Sequence, residues 1–155
     1  MSLKLAIIDS DQDRLNGLSV AFRERGSSVE TVKVDQVLYV KPPGGLDAIF
    51  LVLPAAERWG SRPILGQAQV LRTTPEDQRT GMPPFVVTGV ALRPSDARGP
   101  LPETRLLVST ALEAVRSFNA GNDDAIHRLG FWAVNLLNGV TPAQLAQVFS
   151  ELLSI

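Results

Sequence analysis

No cysteine occurs among the 155 residues, and histidine occurs once, as His127. The first absence excludes disulfide frameworks, thiolate-ligated zinc, iron–sulfur clusters and cysteine nucleophiles. The second excludes any site built from several imidazoles. Charge of one sign is missing too: Lys+Arg 15 against Asp+Glu 16 leaves a net charge of −1. Nothing in that balance draws the chain toward nucleic acid or an anionic membrane. Long hydrophobic runs are absent. Leu3–Ile8 meets an acid at Asp9, and Ala48–Leu53 is strand-sized, so neither suits a signal sequence or a membrane span. The expectation is a cytoplasmic protein with no membrane or nucleic-acid partner. G-x-G-x-x-G, the P-loop and G-x-S-x-G are all missing. What is present is ordinary for one globular domain over 1–155: 45% hydrophobic residues on a chain long enough to bury a core.

Strand and helix signals interleave. Leu3–Ile8 reads as a buried first strand. Ser10 is placed to cap a helix with Asp11 and Asp13 in its first turn, Leu15, Leu18 and Phe22 at helical spacing, and Gly26 as its stop. Ser28–Val34 reads as a second strand, and Asp47–Leu53, between Gly44-Gly45 and Pro54, as the strongest strand in the chain. Gln67–Arg72 and Phe85–Leu92 follow as strands, separated by a turn-rich loop over Thr73–Pro84; Arg93–Pro102 reads as a second loop. Leu107, Ala111, Val115 and Phe118 mark a long amphipathic helix stopped by Gly121, and Asp124–Phe131 reads as a last strand. Thr141, Pro142 and Gln144 write a capping box for a final helix with Leu145, Val148, Phe149 and Leu152 on its buried side. This order predicts an α/β layered fold with a mixed sheet.

The residue types raise four candidate chemistries. The acids Asp9, Asp11 and Asp13 follow the first strand, where carboxylates hold Mg²⁺ in phosphoacceptor receiver domains. The third strand, however, ends in Leu53-Pro54 where a receiver needs its acceptor aspartate, and none of Lys4, Lys33 and Lys41 stands where a receiver needs its lysine. Helix capping by Ser10 and Asp13 is the simpler reading. Gly44-Gly45 precedes a strand rather than opening a helix, which makes it a turn and not a phosphate loop. His127 falls in a strand reading with no partner motif, so it is expected to be a packed or surface residue. Arg58, Arg62, Arg72, Arg79, Arg93 and Arg98 fall in or beside loops, where guanidinium forks suit anions but are more often solvated; Trp59 beside Arg58 and Arg62 either stacks on a ring or closes over the core.

From Leu46 the chain resembles the macrodomain family of ADP-ribose-binding proteins. The residues that carry the resemblance are Leu46–Ala55, Leu65–Leu71, Pro84–Gly89, the helix from Thr104 to Phe118, and Gly139-Val140-Thr141-Pro142; Leu3–Asp35 is similar to the strand–helix–strand that opens one branch. The resemblance implies a three-layer α/β/α sandwich with a mixed sheet. It places Asp35 where the family's acid accepts from the adenine amino group. Pro54-Ala55-Ala56-Glu57 stands for the family's asparagine turn, with Ala56 in place of the asparagine that orients the distal ribose. Phe131–Gly139 stands for the glycine loop, which in the family cradles diphosphate on backbone N–H groups. Trp132, Val134 and Asn135 are therefore bulky where glycines belong.

The expected function is a non-catalytic, degenerate macrodomain-like module, binding a ligand or a protein, with ADP-ribose binding reduced or lost. The expected ligand site is Asp35, Pro54, Ala56, Trp132 and Asn135. No cofactor, metal or catalytic residue is expected, and the small ligand, if retained, is nucleotide-like. The alternative is a nucleotide-binding protein with ADP-ribosyl hydrolase-type activity. Phe131 and Trp132, with Leu136-Leu137 soon after, would form a large apolar patch if exposed. They must either fill the vacated pocket or lie at a subunit interface, and the short Pro54–Gly66 segment favours a homodimer.

Overall fold

The computed structural model describes residues 3–36, 43–53, 68–90, 100–123, 125–137 and 139–153. Among them six strands form one sheet: β1 (Lys4–Asp9), β2 (Glu30–Lys33), β3 (Ala48–Leu53), β4 (Ala68–Arg72), β5 (Phe85–Val90) and β6 (Arg128–Trp132). Five helices accompany them: α1 (Gln12–Glu24), α2 (Pro75–Arg79), α3 (Pro100–Gly121), α4 (Ala133–Leu136) and α5 (Pro142–Leu153). The strand order is β2-β1-β6-β3-β5-β4, with every pairing parallel except β4–β5. The α/β fold with a mixed, mostly parallel sheet flanked by helices is therefore as expected. The continuous apolar runs of β1, β3 and β6 take the centre, where both faces are covered; the more polar β2 and β4 take the edges.

Alternation along each strand sorts the core into two clusters. Leu5, Ile7, Ala48, Phe50, Phe85, Val87, Leu129 and Phe131 share one face with the buried stripes of α1, α3 and α5. Phe50, Phe131 and Phe149 meet in sequence there, the first pair tilted and the second edge-to-face, with ring centroids 5.3 and 5.6 Å apart. Ala6, Ile8, Ile49, Val86 and Trp132 share the other face with Leu46, and Met82 and Val134 pack at its margin. Close approach is built in by glycine on each face. A Cβ on Gly89 would lie 2.7 Å from the Phe50 ring, and one on Gly130 would lie 2.7 Å from Leu46 and 2.9 Å from Ile8.

Several boundaries differ from the sequence reading. Asp11, not Ser10, caps α1: its Oδ1 accepts from the Arg14 amide at 3.1 Å. The C-terminus of α1 is as expected, since Gly26 has φ of 63° and Ser27 and Gly26 donate to Phe22 and Arg23 in a Schellman pattern. The Thr73–Pro84 loop contains α2, whose Thr74 and Asp77 form a reciprocal capping box behind Pro75. The last strand starts four residues later than Asp124, because the backbone before it is engaged by side chains. Asn119 both accepts from and donates to Ile126, at 2.9 and 2.8 Å, and Asp47 Oδ2 accepts from His127 and Arg128 at 2.8 and 3.0 Å. The same strand runs one residue longer than expected and takes in Trp132. The final capping box is present as read, with Thr141 and Gln144 bonding reciprocally at 3.0 and 3.1 Å. Among the described residues no helix is long and apolar enough to cross a membrane.

Candidate functional site

In a sheet of this kind ligands bind outside the carboxyl ends of the parallel strands, where neighbouring connections leave in opposite directions. The chain leaves β1 toward the β2 edge and leaves β3 toward the β5–β4 edge, so that point lies around β1 and β6. Three of the expected site residues fall at this carboxyl edge. Asp35 is two residues beyond β2, Trp132 is the last residue of β6, and Asn135 is in α4. Asp35 is exposed and Asn135 half-buried. Pro54 and Ala56 lie outside the described residues, as do Trp59 and Arg58, Arg62, Arg93 and Arg98.

Between Asp35 and Trp132 stands the C-terminus of β1, and here lies Asp9, which the sequence reading weighs with Asp11 and Asp13 as a Mg²⁺ ligand against a helix cap. Asp9 is fully buried. It has the same parity as Leu5 and Ile7, so its carboxylate lies on the helix-covered face within reach of α1. Arg14, in the first turn of α1, grips it in a fork: Nε donates to Oδ2, and Nη2 donates to Oδ1 at 2.8 Å. The amides of Ser10 and Asp11 also donate to Oδ1, at 2.8 and 3.3 Å. Burial pushes the Asp9 carboxyl upward, but the Arg14 hydrogen bond, the two amides and the Arg14 charge outweigh it and leave the acid below its ordinary range. Arg14 is correspondingly raised by the hydrogen bond to Asp9.

This arrangement has a definite chemistry. The Asp9 carboxylate is neutralised and most of its lone pairs are committed, so it is a structural anion and not an open ligand. Asp11 is spent on the α1 cap. Among the described residues no three acids or histidines gather at metal-binding distance. The one histidine, His127, is exposed just before β6, at the opposite end of that strand from this edge. Of the loop arginines, Arg72 stacks over Phe85 and Phe118, 5.2 and 5.8 Å from the ring centroids, and belongs to the core margin.

Phe131 and Trp132 are neighbours in sequence but not in the core. Strand alternation separates them: Phe131 points into the helix-covered cluster and Trp132 into the other. Both are fully buried within the single chain, so a second subunit is not needed to cover either. After Trp132 the backbone turns at once into α4, with Ala133 and Leu136 buried and Thr104 of α3 donating to the Leu136 carbonyl at 3.1 Å. The turn after β6 is thus a helical turn anchored by apolar side chains. Signals for it were present in the Ala133–Leu137 composition, but four residues are too few to show a period. Comparison with known proteins returns no matching family model, no similar curated protein and no similar solved structure.

Proposed function

We propose that the chain is a non-catalytic, macrodomain-like module of three α/β/α layers that acts through protein contacts and has reduced or lost ADP-ribose binding. The observation that supports this reading is the position of Trp132. Its ring is wholly buried at the carboxyl end of β6, and α4 follows without an intervening glycine. In the family the chain resembles, that position opens a loop whose bare backbone meets diphosphate. Here a large side chain is packed into the sheet, and the next residues bury Ala133 and Leu136. The neighbouring carboxylate, Asp9, is held by Arg14 and does not offer itself to a ligand.

Calorimetric titration with ADP-ribose and a panel of nucleotides tests the proposal. Little or no heat is expected. A dissociation constant in the low micromolar range, about −8 kcal/mol, would overturn it. Should any nucleotide bind, Asp35→Ala is expected to abolish that binding while leaving Tm unchanged, because Asp35 is exposed. Equal binding by variant and parent would remove Asp35 from the site.

A further inference from the structure

Sulfur is scarce in this chain: with no cysteine, it resides in Met1 and Met82 alone. Met82 lies between α2 and β5, half-buried, and its side chain packs against the cluster that holds Ile8, Ile49 and Trp132. The backbone here is clamped on both sides. The Met82 amide donates to the Asp77 carbonyl at 3.2 Å. Thr73 Oγ1 donates to the Pro83 carbonyl at 2.7 Å, and the Thr73 amide donates to the Pro84 carbonyl at 3.0 Å. Helix α2 buries no residue of its own. Its capping box nevertheless fixes Asp77, and with it the point at which the chain enters Met82. The short helix thus holds a thioether at the margin of the Trp132 face.

We propose that Met82 is a reversible oxidation site through which a hydroperoxide loosens the Trp132 face of the sheet. Half-burial leaves part of the residue open to a small oxidant while the rest stays in apolar contact. In the reaction a sulfur lone pair attacks one oxygen of the hydroperoxide. The S–O bond forms as the O–O bond breaks, and the second oxygen leaves as water, or as an alcohol from an alkyl hydroperoxide. The thioether is oxidised and the peroxide reduced. The product is a sulfoxide, a polar group on a side chain that was apolar and pliable. Because the backbone is clamped on both sides, the residue does not leave the cluster as a unit. Either the sulfoxide oxygen turns to water and draws the side chain out of its contacts, or a polar group is held against apolar neighbours. Both weaken the packing of that cluster. Reduction by a methionine sulfoxide reductase restores the thioether. This site goes beyond the macrodomain-like reading and does not depend on it.

Treatment of the folded protein with hydrogen peroxide, followed by peptide mass mapping and thermal melting, tests the proposal. Met82 is expected to gain one oxygen, and Tm to fall by roughly 2–4 °C, the shift that a modest packing loss produces in a domain of this size. Incubation with methionine sulfoxide reductase should then return Tm to its starting value. Met82→Leu keeps the volume and the apolar contact, so it should fold like the parent and hold its Tm under peroxide, although Met1 is still present to be oxidised. Met82→Gln carries a polar group without oxidation and should melt below the parent by a similar margin. Four results would each overturn the proposal: an unmodified Met82 where Met1 is oxidised, an oxidised parent with the Tm of the untreated protein, a Met82→Leu variant that loses as much Tm under peroxide as the parent, or a Met82→Gln variant that melts with the parent.

Discussion

The two faces of the sheet are covered in different ways. On one, the described helices α1, α3 and α5 lay long apolar stripes over alternate strand residues, and phenylalanines from β3, β6 and α5 interlock. On the other, no described helix contributes a fully buried residue. The buried group is small, centred on Trp132 with Ile8, Ile49 and Leu46, and β4 leaves Leu71 42% exposed on that side. Helical coverage distributes burial over many side chains. Among the described residues the second face has one large buried ring, Trp132, where the first has several.

The strongest test of that contrast is Trp132→Ala, which should cost about 3–5 kcal/mol in urea unfolding, the range for deleting a core aromatic. Phe131→Ala, one residue away on the opposite face, should cost a similar amount. A loss below about 1 kcal/mol for Trp132 would mean that the second face is not a packed core. Overpacking separates the faces by rigidity. Gly89→Ala drives a methyl against the rigid, fully buried Phe50 ring and should cost about 1–3 kcal/mol. Gly130→Ala meets the flexible tips of Leu46, Ile8 and Ile49 and should cost less. The reverse order would show that the second face is the stiffer one.

At the carboxyl edge, the Asp9–Arg14 pair ties α1 to the first face. Arg14→Ala leaves a buried carboxylate with only its two amides and should cost about 1–3 kcal/mol at neutral pH, discounted because Arg14 itself is partly exposed. The acid is lowered in the folded state, so its contribution is present above the ordinary carboxylate value and is lost as pH falls through the lower folded value. Without Arg14, burial pushes the carboxyl upward, and acid unfolding should begin at a higher pH than in the parent. Coincident acid limbs in the two proteins would place the pair outside the stability of that edge. The smallest effect expected is that of Thr141→Ala, about 1 kcal/mol by thermal melting, from loss of the cap that starts α5 over the first face.

Much of this architecture was written locally. The helix of Leu15, Leu18 and Phe22 closes at Gly26 as its spacing and stop signal require, and Thr141-Pro142 with Gln144 starts α5 where the capping grammar puts it. The same grammar stands in Thr74-Pro75-Glu76-Asp77, inside the segment that reads as a loop. With only five residues and no buried stripe, α2 has no periodicity to accompany its cap. The candidate site was less legible. Its residues come from separate elements, and the Asp9–Arg14 contact crosses a strand–helix turn, so both partners look like ordinary cap and surface residues in sequence.

The sequence by itself determined the alternation of strands and helices, the apolar central strands and the helix boundaries with strong caps. These depend on interactions within a few residues, and their periods and turn chemistry are visible in one dimension. Only the tertiary structure decided the order of the strands, the separation of Phe131 from Trp132 onto opposite faces, and the use of Asp9 as a buried anion. Strand order is set by which apolar surfaces meet across long separations in the chain. The face a side chain takes is set by register, where a shift of one residue reverses every position.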